Sequence, residues 1–500
     1  MKHNFFANRL MPVIAVIIML ATLASCKKFL ESKPVSTASV AQFYKTPADF
    51  EQAIVGCYAT LGNLYTGNGY YCLITDLRSD NTTEFGPGGG GNEAKLDIDR
   101  FTVTSDNEHL TEFWAVSYTL IARVNAILEK IDGITVDQAA KDSYIGQAKA
   151  IRALAYFNMV RLWGGVPLVT EPVSDLEASY KVGRSSSEEI YNQITADLTD
   201  AEGLLPDSYP EKMVGKITKG AAQSILGEVY LTLKKYPEAV TQFKKVVDGN
   251  KYKLLDNYSD LFKGTNQGNS ESIFAIQYMS GGNNLGSNFP GFFAPIGSQK
   301  ILLNGGGNGS FGFNQPTEDI AAAYSNNDVR KNNIGTGYTD ANGNFVVAPY
   351  IKGYVSAPAG SGYLDSDADW YIVRYADVLL MYAEALNEAN NGPAGDAFTA
   401  LNLVRKRAGL AEISGLDYNA FKVEVYEQER LEAPFEGHRW FDLIRTGRAL
   451  SVMNSKVATP GSSTTIGITS PIKESQLLYP IPQIVIITSA PAIEQNPGYN

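Results

Sequence analysis

The sequence predicts a mostly α-helical fold, with tetratricopeptide-like helical hairpins packed against a loop-rich second half that holds a few short strands. Three observations predict it. Residues 219–248 satisfy L-G-x2-Y through Leu226, Gly227 and Tyr230, and A-x3-F through Ala239 and Phe243, which is the pattern of a helical hairpin that stacks on others. Apolar residues recur at helical spacing along most of the first half. Beyond residue 280 the composition turns to glycine, asparagine and aromatic residues.

The chain begins with Lys2 and Arg9, an apolar run over 11–20, and Leu23-Ala24-Ser25-Cys26. Small residues directly before a cysteine read as a lipoprotein signal peptide over 1–25, and the run is short for a membrane anchor. Cys26 is the lipidation site this implies, carrying acyl chains, and polar residues 26–38 read as a tether. Thr46-Pro47 then opens a helix with Phe50, Ile54, Cys57, Tyr58 and Leu61 along one face. Residues 75–85 are polar and read as a loop that continues into Gly86–Gly91.

Helical spacing returns through Phe113, Trp114, Leu120, Ile121, Val124, Ile127 and Leu128, and again through Ile151, Leu154, Phe157 and Leu162. Gly164-Gly165-Val166-Pro167 stops that second helix. Ser187 with Glu188 and Glu189 starts another, ahead of the hairpin at 219–248. In that hairpin Gly227 and Ala239 are small where helices must approach, Tyr230 and Phe243 fill the groove, and Pro237 fits a first turn. Residues 272–279 alternate like a short strand. Residues 370–408 read as a second hairpin, with Ala383 and Leu386 on a long first helix and Ala397 and Leu401 on its partner. Between the hairpins, 281–315 and 334–369 read as irregular but rich in rings, which is unusual for a linker.

Composition bounds the function. Hydrophobic residues at 44% allow a large core, and charged residues at only 19% argue against a disordered chain. Cleavage before Cys26 removes Lys2, Arg9 and no acid, so the formal charge goes from −11 to −13. No basic face is in view, which disfavours nucleic acid as a partner. With three histidines in the chain, a histidine zinc site is nearly excluded. Cys57 and Cys72 are either a disulfide or two buried thiols.

The residues add up to a pattern. Cys26 is followed by Phe29-Leu30 and Pro34; residues 148–157 lead to Trp163-Gly164-Gly165-Val166-Pro167; Arg374-Tyr375-Ala376-Asp377 begins a run that continues to Ala385; Glu429-Arg430 precedes the run 435–445; and the chain closes on Tyr479-Pro480-Ile481-Pro482 and Asn496-Pro497-Gly498. In these the chain resembles the SusD/RagB family of outer-membrane, nutrient-binding lipoproteins. One departure is Ala433-Pro434, where the family usually continues its helix and Pro434 should end or kink it. The resemblance implies a surface lipoprotein that binds an oligosaccharide or polysaccharide without cutting it. It also implies delivery to a SusC-like TonB-dependent transporter, with ligand contacts on loops that vary among members. Residues 39–265 form the helical region in this reading, and 266–500 carry the ligand loops and the further hairpin.

Glycan capture calls for rings beside planar polar groups. Arg78, Asp80, Asn81 and Phe85, then Asn288, Phe289, Phe292 and Phe293, supply that combination, with Tyr354 and Tyr363 as weaker candidates; for each phenylalanine the competing reading is an anchor that ties a loop to the core. The cluster Glu429, Arg430, Glu436, Arg439, Asp442 and Arg445 reads as a structural ion-pair network in preference to the paired carboxylates of a glycosidase. Asp365, Asp367 and Asp369 open like a calcium loop, but Trp370 stands where glycine is required and Ala376 where glutamate belongs. An acidic turn is the reading, with a non-EF calcium site as the alternative. No cofactor is called for and no catalytic motif occurs. The alternatives to a glycan binder are capture of peptides by the same fold and, less favoured, a surface glycoside hydrolase.

Overall fold

Thr46 sets the first helix by a reciprocal cap: its Oγ accepts the Asp49 N–H at 3.3 Å, and the Asp49 carboxylate accepts the Thr46 N–H at 2.8 Å. Helix α1 (Pro47–Tyr65) follows. The computed structural model describes residues 43–66, 71–84, 92–173, 175–210, 215–303, 309–356, 365–457 and 467–499. The leader, Cys26, the tether, Phe85, Gly86–Gly91 and Tyr363 lie outside these residues.

After α1 come α2 (Tyr71–Thr75), α3 (Glu93–Arg100), α4 (Glu108–Lys130), α5 (Gln138–Trp163) and α6 (Ser187–Leu204). Ser186 and Glu189 cap α6 as Thr46 and Asp49 cap α1. The predicted hairpin is α7 (Lys219–Thr232) and α8 (Tyr236–Asp248), with Pro237 in the first turn of α8. A Cβ on Gly227 would lie 2.5 Å from the Phe243 ring, so glycine lets the two helices close on that ring. Cys57 and Cys72 are buried free thiols.

Each helix packs on the next, α5 on α6, α6 on α7 and α7 on α8. The stack then jumps the irregular region to α10 (Tyr375–Asn390), which packs on α8 and carries α11 (Gly395–Arg407) and α12 (Tyr418–Glu432). Helix α12 ends ahead of Pro434, as its missing N–H requires. Helix α13 (Arg439–Arg445) follows.

The second half holds more regular structure than its composition suggests. Strand β2 (Ser272–Ile276) pairs antiparallel with β6 (Trp370–Arg374), so residues 370–374 are not helical as expected. All five are buried, and a fully buried strand shows no alternation to separate it from a buried helix. Residues 334–369 contain the hairpin of β4 (Ile334–Thr339) and β5 (Phe345–Ile351). The 75–84 segment is likewise not a solvated loop. It makes a 3-10 turn and strand β1 (Thr82–Thr83), which pairs with β3 (Gln315–Pro316) and is buried throughout.

A buried ion network ties the second half together. Arg374 donates to Glu436 (2.9 Å, twice), Glu432 (2.9 Å) and Glu271 (3.1 Å). Arg407 bridges Glu271 and Glu432, and Arg330 joins Glu432 to Asp328. Burial pushes Glu432 up, yet the guanidinium groups of Arg407, Arg374 and Arg330 outweigh it and hold the carboxyl at about 2.

Elsewhere burial wins. It raises Asp76 to about 7, Glu84 to about 8, Asp99 to about 7 and Asp369 to about 7. These carboxyls keep protons in the fold that they release when unfolded between about pH 4 and 8. Their stabilisation is therefore complete below about pH 4 and is lost as pH rises through 7–8. Glu432 has the opposite sign, contributing above about pH 4 and losing its contribution as pH falls toward 2. Melting temperature is expected to peak near pH 5 and to decline toward pH 8; a curve that is flat or rising over that interval would contradict the assignment.

A cleft at the end of the first helix

Of the residues singled out in the sequence as ligand contacts, those among the described residues are in the core. The Arg78 guanidinium lies 3.9 Å from the Phe101 ring centroid and 4.5 Å from that of Tyr479, and it donates to the Gln476 carbonyl. Asp80 takes two bonds from Arg439 (2.8 and 3.0 Å) and pairs with Arg430 at 3.0 Å. Asn81 donates to the Pro434 carbonyl at 3.0 Å and accepts from Arg430 at 2.9 Å. These three side chains join 75–84 to the C-terminal helices and leave no face for a sugar.

The rings fare alike. Phe289 and Phe293, in α9 (Phe289–Phe293), have no exposed surface, and Phe292 and Asn288 are buried. Phe289 packs 5.2 Å from both Trp370 and Tyr354 between ring centroids, and Phe292 packs 5.3 Å from Phe313. Tyr354 is buried and stacked on Trp370. The anchoring reading of these rings is the one the geometry bears out: a loop this long is held only by burying its large side chains.

The acids and arginines of the C-terminal cluster pair with one another. Arg445 holds Glu384 by two bonds (2.6 and 2.7 Å), Glu429 at 3.2 Å and Asp442 at 2.8 Å. Burial raises Glu429 well above the usual carboxylate range, with Glu384 beside it adding to the effect. Asp365, Asp367 and Asp369 spend oxygens on backbone: Asp369 accepts from Tyr278 at 3.0 Å, Asp367 from Ser280 at 2.7 Å and Asp365 from Gly282 at 2.8 Å. Among the described residues no group of His, Cys, Asp and Glu is placed to hold a metal ion.

That acidic ladder has a product, the turn that follows β2. Gly281, Gly282 and Asn284 take positive φ (126°, 72° and 62°), and Met279 N–H closes the turn on the Leu285 carbonyl at 2.9 Å. Gly286 must be glycine: a Cβ there would lie 2.5 Å from an Asp365 carboxylate oxygen and 2.9 Å from the Ser366 nitrogen. The turn stands against the C-terminal end of α1, where Tyr278 donates to the Gly62 carbonyl at 3.0 Å. Between them opens a cleft of about 820 Å³ whose walls include Val55, Asn63, Gln277, Met279, Asn284 and Leu285.

Met279 and Leu285 are about half exposed, at 53% and 52%, and Val55 is 53% exposed. Apolar side chains thus stand beside amide groups on a backbone pinned by three carboxylates. Across the shared wall of Gly215, Lys216, Ala275 and Gln277 lies a second hollow of about 440 Å³, bordered by the half-buried rings of Tyr209 and Tyr252. The sequence reading passed over these residues. Its usable signal was Gly281-Gly282-Asn283-Asn284 after a strand, flanked by apolar residues with no helical partner.

A family model described as the SusD family matches residues 331–499, and one described as starch-binding associating with outer membrane matches residues 28–231. The chain belongs to the SusD/RagB family. A SusD-like protein of Formosa agariphila is 29% identical to this SusD/RagB member over 489 residues, spanning 88% of this chain and 90% of that protein. Among solved structures, a laminarin-binding SusD-like protein is 26% identical with a TM-score of 0.77, covering 91% of this chain and 100% of that one. A SusD homolog from Bacteroides thetaiotaomicron is also 26% identical with a TM-score of 0.77, covering 92% and 98%. The cleft turn falls between the two spans that the family models match.

Proposed function

We propose that this SusD/RagB member is an outer-membrane lipoprotein, anchored through Cys26, that binds a polysaccharide in the cleft beside the end of α1 and passes it to a SusC-like TonB-dependent transporter. The cleft is the observation that carries the reading. Sugar rings offer apolar C–H faces and a rim of hydroxyls; Val55, Met279 and Leu285 suit the faces, and Asn63, Gln277 and Asn284 suit the hydroxyls. Its length, continued past Lys216 toward Tyr209 and Tyr252, suits a chain of several sugars.

Three further observations support it. The helical stack built on 39–265 gives a rigid platform, and the ligand turn belongs to the 266–500 half. The carboxylates of the C-terminal cluster are held on arginines, which favours binding over hydrolysis. Laminarin, bound by one structural relative, is the first polysaccharide to try.

The test is migration through native gels containing laminarin or other polysaccharides, with assays for new reducing ends. Wild type is expected to be retarded by at least one polysaccharide and to release no reducing ends. Leu285→Asp, at an exposed position, should migrate freely while melting within about 1 °C of wild type, because surface changes cost little stability. Retardation of this variant equal to wild type, or sugar release, would overturn the proposal.

A further inference from the structure

A separate cavity of about 260 Å³ lies where α5, α6 and α7 meet α13, and it shares no lining residue with the cleft. Its walls carry Arg161, Tyr191, Glu228, Thr232, His438 and Asp442. The Arg161 guanidinium is clamped between the Phe157 and Phe441 rings, at 3.7 and 4.0 Å from their centroids. Its nitrogens are committed to Glu228 (2.7 Å), Asn158 (2.7 Å) and the Phe157 carbonyl (3.2 Å).

The acids are only half committed. Glu228 gives one oxygen to Arg161, and Asp442 gives one oxygen to Arg445 at 2.8 Å. The second oxygen of each has no protein partner among the described residues, and the two side chains keep 16% and 19% of their surface exposed. The His438 Nε2 is buried and makes no hydrogen bond. The cavity therefore offers a ligand two acceptor oxygens that solvent reaches, with one imidazole nitrogen closed to solvent in its wall. Both arginines are already neutralised, which removes any attraction for an anion, while uncommitted carboxylate oxygens accept from hydroxyl groups. Tyr191 is half-buried and adds an aromatic wall.

We infer that this cavity is a second binding site, for an uncharged polyhydroxylated molecule of monosaccharide size. The volume sits below the range of sites for larger ligands, and the cavity is built on helices of the platform, away from the polysaccharide cleft. The site is independent of the cleft, and either can fail without the other.

The experiment is a titration of the folded protein with D-glucose and with D-glucuronate, followed by saturation-transfer NMR and calorimetry. Saturable glucose binding is expected, with a dissociation constant on the order of millimolar, and glucuronate should bind at least about tenfold more weakly because its carboxylate meets those of Glu228 and Asp442. Tyr191→Ala should weaken glucose by about tenfold. Thr232→Trp, which places a ring in the cavity from a half-buried position, should abolish binding and decides the matter if Tyr191→Ala folds poorly. Leu285→Asp should leave glucose binding unchanged. Absence of saturable binding, glucuronate binding as tightly as glucose, unaltered affinity in Thr232→Trp, or loss of glucose in Leu285→Asp would each overturn the inference.

Discussion

Arg374→Met is expected to lower the free energy of unfolding by about 3–5 kcal/mol, the cost of removing one partner from a buried ion pair. The side chain has no exposed surface and donates to Glu271, Glu432 and Glu436, all buried. Methionine fills much of the volume but strands Glu436, whose two oxygens both accept from Arg374. The carboxylates do not matter equally. Burial raises Glu436 to about 7 against the pull of Arg374, so it is largely neutral at pH 6 and about half so at pH 7. Glu436→Gln should therefore cost less than about 1.5 kcal/mol at pH 6. Glu432 is ionised and faces three arginines, so Glu432→Gln should approach the cost of Arg374→Met. Urea titration of the three variants at pH 6 measures the order, and an Arg374→Met protein as stable as wild type would show that the network does not hold the second half.

The double variant Phe289→Ala with Phe293→Ala is expected to fail to fold. Each truncation of a buried phenylalanine costs about 3–5 kcal/mol, and a domain of this kind has about 5–15 kcal/mol in all. The two rings stack on each other at 5.8 Å and meet Tyr354 at 5.2 and 5.5 Å, so a shared cavity would open beneath Trp370 and the costs would not simply add. Circular dichroism and thermal melting decide this before any binding assay. A stable double variant with weakened polysaccharide binding would return these rings to the ligand site.

That reversal shows what the sequence carried and what it hid. Helices were legible wherever one face is apolar and the ends are capped: Thr46 ahead of Pro47 and the Gly227–Phe243 contact each follow from local chemistry, while the start read at Ser187 has its cap one residue earlier, at Ser186. Strand β6 was not, because Trp370 to Arg374 is buried on both faces and loses the alternation that marks a strand. Arg78, Asp80 and Asn81 looked like surface polar residues. Their partners are Gln476, Arg430, Arg439 and Pro434, hundreds of positions away, and no local pattern announces such pairing. Ring-rich loops pointed to ligand for the same reason: composition gives the side chains but not which way the backbone turns them.

The candidate cleft was legible only as a turn. Its geometry depends on Asp365, Asp367 and Asp369 meeting backbone amides at 278–282, a contact between segments far apart in the chain. The calcium-like spacing of those aspartates goes with a different task, which is to hold an open, half-apolar turn in place through its backbone amides.

The account rests most heavily on where the polysaccharide touches the protein, and amide hydrogen exchange with and without a saturating polysaccharide measures it. Slowed exchange is predicted in residues 279–286 and at the C-terminal end of α1, with α9 and the Arg374 network unchanged because they are already closed to solvent. Bound polysaccharide that protects other segments and leaves 279–286 as free to exchange as before would contradict it.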